Sequence, residues 1–204
     1  MKTTTLPGLR YWSLFQADRG IDFNGFCWTR PGGSTVLIDP MPVAPDALAP
    51  VRASLDWIVL TNADHARSAA DLRKMFDLKV TAPDCDREAL SGLQVDAWYG
   101  PNQALPTELS DLEAHWLHGG KTAHEAALWI PACSALLFGD AVRSHTSGEL
   151  RLLPPEKLSD AAALRNDVRK LARFPTKAVL LGDGDCIFHG AATALERLVE
   201  SFEA

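Results

Sequence analysis

The sequence predicts an α+β fold in which two β-rich halves are each followed by helices. Strand-like runs of apolar and aromatic residues cluster between residues 10 and 38 and again between residues 112 and 138. Helix-like runs with an apolar stripe follow each cluster, over residues 66–76 and 160–173. Two sheets packed face to face, with helices on both outer faces, would bury this pattern.

Length and composition predict one ordinary globular domain spanning residues 1–204. The chain has 204 residues, 47% hydrophobic and 23% charged, which suits a single sizeable core. The formal net charge of −6 argues against a nucleic-acid partner or an anionic membrane surface.

The cysteines and the N-terminus favour a cytoplasmic protein. The four cysteines form no C-x-x-C pair and match neither a zinc knuckle nor a disulfide framework: Cys27, Cys85, Cys133 and Cys186. We expect reduced, mostly buried thiols. No apolar leader follows Lys2, and the longest uncharged run, residues 126–139, is too short to span a bilayer.

The first half opens with a predicted β-meander. Aromatic-rich runs predict strands at residues 10–16 and 23–29, and a third strand at 34–38 follows a Pro-Gly-Gly turn. Four prolines between residues 40 and 50 predict an irregular loop. The remaining predicted elements are a strand at 57–60, a helix at 66–76, a strand at 78–81, a short helix capped by Asp84 and ending at Gly92, and a strand at 95–98.

The second half is predicted to contain a hairpin and two amphipathic helices. Alternation over residues 112–117 indicates a half-buried strand, and the runs 125–130 and 135–138 indicate a hairpin. Ser159 is the expected cap of a helix over residues 160–173. A buried strand at residues 178–181 and an amphipathic C-terminal helix complete the chain.

The stretch from Ile58 to Arg67 has two interpretations. An apolar strand ends here in Asp64-His65, directly before a predicted helix. The carboxyl end of a strand is where folds with parallel sheets commonly hold their sites. Asp64 also suits a simple helix cap, with His65 a half-buried surface residue.

Four apolar runs end in the same kind of signal, with a charged group just past a predicted strand. Any one of them suits turn chemistry, but four in one small domain favour a common site. The runs end at Leu60, Leu117, Phe138 and Leu181, and the groups that follow are Asp64-His65, Lys121, Asp140 and Asp183.

The order and spacing of these signals resemble the metallo-β-lactamase fold, the αββα sandwich of metal-dependent hydrolases. The resemblance covers nearly the whole chain, at Asn24 and at residues 33–40, 61–65, 120–125, 138–140 and 181–185. In that family the successive motifs are H-x-H-x-D-H, a histidine in a G-H-T-like turn, G-D and G-H.

This chain departs from the family at most ligand positions. Asp64-His65 and Gly139-Asp140 match their motifs, whereas Thr61-Asn62-Ala63 stand in place of the upstream histidines. Lys121 takes the second-motif position and Asp183 takes the last. The resemblance therefore implies that the first metal position has lost its three ligands. The second would consist of Asp64, His65, Asp140 and Asp183.

Two interpretations of this site stay open. In one, the site holds a single divalent cation, and its carboxylates favour Mn²⁺, Mg²⁺ or Fe²⁺ over Zn²⁺. Lys121 then replaces the charge of the first metal. In the other, no metal binds, and Lys121 with protonated His65 neutralises a buried cluster of carboxylates. Removal of a buried Lys121 would then cost about 3–5 kcal/mol.

The function expected from these departures is that of a degenerate family member without the two-metal hydrolase site. Its pocket would be built on Asp64, His65, Lys121, Asp140 and Asp183. The alternative is a mononuclear metal-dependent hydrolase of a small ester, lactone or thioester that uses the same residues as catalytic groups. Metal-independent acid–base chemistry in that pocket is a third hypothesis.

Specificity and partners are less defined. His118 is a candidate displaced ligand, His124 a candidate to line the pocket, and Asp185 a substitute for Asp183 if the last turn is aligned differently. Loops at residues 40–50 and 141–158 are expected to set specificity. A small-molecule ligand and the oligomeric state stay open.

Overall fold

The computed structural model describes residues 1–203 and shows two β-sheets packed face to face between layers of helices. This is the αββα sandwich that the resemblance to the metallo-β-lactamase fold implies. The strands are β1 Lys2–Thr3, β2 Leu9–Gln16, β3 Ile21–Thr29, β4 Thr35–Ile38, β5 Leu55–Val59, β6 Lys79–Pro83, β7 Ala97–Tyr99, β8 Glu113–His118, β9 His124–Ile130, β10 Ala135–Phe138, β11 Val142–Thr146, β12 Glu149–Leu152 and β13 Ala178–Leu181. The α-helices are α1 Ala69–Phe76, α2 Ala161–Leu171 and α3 Ala191–Glu200.

The larger sheet contains seven strands in the sequential order β1 to β7. β2, β3 and β4 pair antiparallel, which confirms the predicted meander. β4, β5, β6 and β7 pair parallel. The ends of β4 and β5 therefore lie side by side at one edge of the sandwich.

The smaller sheet has the order β13-β10-β9-β8. β9 and β10 form the predicted hairpin, with Ala135 opposite Ile130. β10 and β13 pair parallel, with Phe138 beside Leu181. Their carboxyl ends consequently emerge together.

Three predicted details of the helices and loops are wrong. Helix α1 begins at Ala69 rather than at residue 66, because Arg67 has a left-handed backbone with φ of 34° that no α-helix accommodates. The proline-rich segment is not irregular, since Pro45–Ser54 forms a 3₁₀ helix with a proline in its first turn. The cap of α2 is Asp160, whose carboxylate accepts from the amides of Ala162 and Ala163, and not Ser159.

The segments after β6 and β10 also differ from expectation. Asp84 begins a single 3₁₀ turn, Asp84–Asp86, with Pro83 at the cap position. The predicted loop at residues 141–158 contains the hairpin of β11 and β12. The amide of Leu153 donates to the carbonyl of Ala141 and closes the base of this hairpin.

The hydrophobic core has three layers. Between the sheets, β3 to β5 pack against β9, β10 and β13 through buried residues such as Phe26, Ile38, Leu128 and Leu137. Helices α2 and α3 cover the outer face of the small sheet, and α1 covers that of the large sheet. No helix within residues 1–203 has the length and apolar character needed to cross a membrane.

Candidate functional site

Four strand ends meet at one edge of the sandwich. The chain leaves β4 at Asp39, β5 at residues 60–65, β10 at Gly139-Asp140 and β13 at Gly182-Asp183. Asn24 ties the two sheets together here, since its amide donates to the carbonyls of Leu181 and Gly184 at 2.8 and 2.7 Å. The side chains at these ends therefore share one small space.

The centre of the site is an Asp39–Thr61–His65 network. Asp39 is fully buried and accepts hydrogen bonds from the Thr61 amide at 2.8 Å and the Thr61 hydroxyl at 2.6 Å. It also lies 2.7 Å from Nδ1 of His65. Burial alone would lower the pKa of His65, but the charge and hydrogen bond of Asp39, together with the charge of Asp140, outweigh that effect and the pKa is raised. Nδ1 is thus held as a donor, and Nε2 faces the other carboxylates.

Two guanidinium groups neutralise the carboxylates across from His65. Arg67 approaches one oxygen of Asp183 at 3.2 Å, and Arg143 approaches the other at 3.3 Å. Arg143 also lies 3.6 Å from Asp140. Both aspartates and Arg143 are buried, so these pairs act in an environment where unpaired charge is costly.

A further acidic residue, Glu125, lies behind Asp140. It is buried, and its Oε1 accepts from the amide of Ala141 at 2.8 Å. Burial, aided by the charge of Asp140, raises the pKa of Glu125 to about 8. Glu125 is therefore mainly protonated and neutral at neutral pH.

Two glycines allow these groups to approach. A Cβ at Gly182 would lie 2.4 Å from Cε1 of His65, and a Cβ at Gly139 would lie 2.5 Å from the Thr61 hydroxyl. Any side chain at either position would displace the network. The close packing of the site therefore explains why glycine precedes Asp140 and Asp183 at these two strand ends.

Asp64 and Lys121 occupy the rim and pair with each other. Their side chains are 48% and 45% exposed, and the side-chain hydrogen bond to Asp64 raises the pKa of Lys121. The expectation that Lys121 is a buried neutralising charge is wrong, because Arg67 and Arg143 occupy that role inside the site. Loss of a half-exposed pair costs at most about 1 kcal/mol, rather than the 3–5 expected for a buried one.

The predicted metal-ligand residues divide into two groups. His65, Asp140 and Asp183 offer donor atoms within 4.8 Å of one another, and all three residues are buried. Asp64 lies outside that group, and the ligand role of the four residues stays a prediction. Asp185 is exposed, and His118 pairs with Asp167 of α2 at 2.8 Å.

The upstream histidine positions hold residues committed to other contacts. Counted back from His65, the spacing H-x-H-x-D-H places the two upstream histidine positions at Leu60 and Asn62. They do not correspond to the whole segment of residues 61–63. Leu60 is buried in the core under α1. Asn62 caps the 3₁₀ turn Ala63–His65, and its Nδ2 is buried without a partner among residues 1–203. Neither Leu60 nor Lys121 provides a donor suited to a first metal.

A second group of donor atoms lies behind the Asn62–His65 turn. Asp84, Cys85 and His124 offer atoms within 4.8 Å of one another, and all three residues are half-buried. The Nε2 atom of His124, a candidate to line the pocket, lies 3.2 Å from Asp84.

Sequence reasoning did not identify Asp39, Arg67, Arg143 or Glu125 as site residues. Asp39 and Arg67 adjoin quoted motifs, and the strand-end rule could have found Asp39 just past β4. Arg143 lies in a segment predicted as a loop. Glu125 lies in strand β9, and only the hydrogen bond that it accepts from the amide of Ala141 places it at the site.

Comparison with known proteins gives a family match. The sequence profile of the metallo-beta-lactamase superfamily matches residues 1–202. A sequence comparison with curated proteins gave no significant match.

Comparison with solved structures supports the same fold. The DIM-1 metallo-beta-lactamase is 17% identical with a TM-score of 0.73, covering 98% of this chain and 96% of that one. A metallo-beta-lactamase from Hirschia baltica is 17% identical with a TM-score of 0.68, covering 98% and 96%. A superfamily protein from Sulfolobus tokodaii is 15% identical with a TM-score of 0.68, covering 97% and 87%.

Proposed function

Because this chain belongs to the metallo-beta-lactamase superfamily, we propose that it is a member in which ion pairs have replaced the two-metal hydrolytic centre. The remaining pocket, bordered by His65, Asp140 and Asp183 with Asp64 and Lys121 at its rim, binds a polar small molecule without hydrolysing it.

The position of Arg143 is the observation that supports this proposal most. Its guanidinium lies 3.3 Å from Asp183 and 3.6 Å from Asp140, the two carboxylates that a metal would need. Arg67 engages the second oxygen of Asp183 at 3.2 Å. A cation at this place would have to displace a buried guanidinium and would meet its positive charge.

Charge balance supports the same conclusion. The carboxylates of Asp39, Asp64, Asp140 and Asp183 lie beside the cations Arg67, Arg143 and Lys121, and beside His65, whose pKa is raised. Burial raises the pKa of Glu125 to about 8, so this residue adds little charge at neutral pH. Much of the negative charge of this cluster is therefore compensated without a metal, which weakens the usual reason for carboxylates to recruit one.

Asn62 offers a contact for the bound molecule. Its buried Nδ2 has no partner among residues 1–203, and a Cβ on Gly139 would lie 2.8 Å from it. A buried donor without a partner is costly, so an ordered water or a ligand acceptor atom that reached this amide would be stabilised.

The alternative function is a mononuclear metal-dependent hydrolase, and the mutual proximity of three donors favours it. His65, Asp140 and Asp183 would hold one divalent cation, Mn²⁺, Fe²⁺, Mg²⁺ or Zn²⁺, once Arg143 had turned away. When bound, such a cation would polarise a substrate oxygen or lower the pKa of a water. Lys121 would orient an anionic group of the substrate at the rim.

Metal analysis of matched variants distinguishes the two functions. We expect Asp140→Asn to leave the metal content of the purified protein unchanged, because the aspartate is engaged by Arg143. We also expect no turnover on a panel of esters, lactones and thioesters above that of Asp140→Asn. Cys85→Ser serves as the control, since it removes a donor from the second group and leaves this site intact.

Stoichiometric metal that Asp140→Asn removes and Cys85→Ser retains would overturn the proposal. Hydrolysis that EDTA and Asp140→Asn both abolish would establish the alternative. Arg143→Met provides a complementary test. Because this substitution frees the carboxylates of Asp140 and Asp183, the variant should bind Mn²⁺ and the wild-type protein should not.

A further inference from the structure

We propose that Asp84, Cys85 and His124 form a binding site for a single Zn²⁺ ion, separate from the His65 cluster. This inference is independent of whether the His65 cluster binds a metal.

The donor set has the chemistry of a zinc site. A thiolate, an imidazole and a carboxylate are the three ligand types that Zn²⁺ takes in proteins, and three protein ligands leave a fourth position for water. Hard cations such as Mg²⁺ avoid sulfur, so the cysteine selects zinc over them. The other three cysteines belong to no such group among the residues that the structure describes.

The distances suit a common ion. The three donor atoms lie within 4.8 Å of one another, and His124 Nε2 is 3.2 Å from Asp84 Oδ1. Ligand atoms about 2.0–2.3 Å from a tetrahedral zinc are separated by roughly 3.3–3.8 Å. Small side-chain rotations therefore bring all three donors onto one ion.

The surrounding structure holds the donors in place. The His124 ring packs edge-on against Trp116, with centroids 5.0 Å apart. The Cys85 thiol donates to the carbonyl of His124 at 3.1 Å. The Asp84 carboxylate lies against Gly100, where a Cβ would come within 2.3 Å of its Oδ2. Ordered ligand side chains lower the entropic cost of metal binding.

The local charge also favours a cation. Asp84 and Asp86 flank the thiol in sequence, and Asp86 Oδ1 lies 3.6 Å from Cys85 Sγ. The side chains of His124 and Asp84 are 18% and 33% exposed, which gives an ion a route in from solvent. No lysine or arginine pairs with Asp84 or Asp86 among residues 1–203, in contrast with the arginine-filled cluster at Asp140.

The site would join the two sheets. Cys85 follows β6 of the large sheet, whereas His124 begins β9 of the small sheet. A bound ion therefore cross-links elements that are 39 residues apart in the chain. Since the unfolded chain lacks this arrangement, zinc should stabilise the folded protein.

Cobalt substitution tests the proposal on the full chain. The metal-free protein, prepared with a chelator, is titrated with Co²⁺ and followed by its thiolate-to-cobalt charge-transfer band. We expect one equivalent to develop the band, Cys85→Ser to abolish it, and Cys186→Ser, the other half-buried cysteine, to preserve it. Zn²⁺ should displace the cobalt and raise the melting temperature of wild-type protein but not of Cys85→Ser.

His124→Ala and Asp84→Asn extend the test. Each should weaken zinc binding at least about 100-fold, because loss of even an outer partner of a metal ligand costs 10–100-fold. Because Asp84→Asn keeps the shape of the side chain, this variant is expected to fold, so that a loss of zinc binding can be assigned to the lost carboxylate. A band that persists in Cys85→Ser, or the absence of saturable cobalt and zinc binding by folded wild-type protein, would overturn the proposal.

Discussion

Replacement of Glu125 by glutamine should remove much of the pH dependence of stability of this protein. The carboxyl is buried, and its pKa rises from 4.5 to about 8 on folding. Between these two values the folded protein retains a proton that the unfolded chain has released. Stability from this residue is therefore fully present below the unfolded pKa and is lost as the pH rises through the folded one.

The magnitude follows from proton linkage. For a group with these two pKa values, raising the pH from about 5 to about 9 lowers the free energy of unfolding by about 4 kcal/mol. Glutamine keeps the acceptor for the Ala141 amide and does not titrate. The fall in stability of Glu125→Gln over this range should therefore be about 4 kcal/mol smaller than that of the wild-type protein.

Urea denaturation at several pH values measures this difference. Comparing slopes rather than absolute stabilities cancels any constant cost of the amide. Glu196→Gln, on the exposed face of α3, is the matched control and should reproduce the wild-type profile. Parallel profiles for Glu125→Gln and wild type would refute the assignment of a neutral, buried Glu125.

Two further substitutions test the packing and the rim of the site. Gly182→Ala should destabilise the protein by about 1–3 kcal/mol in thermal or urea unfolding, because its Cβ would lie 2.4 Å from His65. The control Gly92→Ala should change stability little, since a Cβ at Gly92 meets open space. Equal effects of the two substitutions would contradict the close approach of Gly182 to His65. Lys121→Ala should lower the free energy of unfolding by no more than about 1 kcal/mol at neutral pH, since the ion pair with Asp64 is half-exposed. A loss of several kcal/mol in the same unfolding experiments would show that the lysine is buried in solution.

The sequence identifies most strands and their charged ends because hydrophobic periodicity and turns are local signals, whereas the αββα arrangement is predicted mainly from the resemblance to the metallo-β-lactamase fold. Apolar runs that end in a turn and a charged group identified the positions of His65, Asp140 and Asp183, which the structure brings together. Parallel pairing of β10 with β13 explains why Asp140 and Asp183 emerge side by side.

The partners of those carboxylates could not be read from the same signals. Arg67 and Arg143 have long side chains, and only the folded backbone determines whether such a chain turns inward or towards solvent. The left-handed conformation of Arg67, with φ of 34°, directs it back to Asn24 and Asp183. Lys121 was placed correctly in its turn, but its sequence position gives no measure of its depth.

The helix-capping role of Asn62 determines how this scaffold could be converted into a two-metal enzyme. Its Oδ1 accepts from the His65 amide at 3.2 Å, so a histidine at this position would remove the cap that orients the remaining imidazole. At Leu60, a histidine would place a polar ring in the apolar core beneath α1. Grafting metal ligands one at a time would thus lose stability before any metal could repay it. An engineered series of variants would therefore have to introduce a replacement cap and repack the core before the histidines are added.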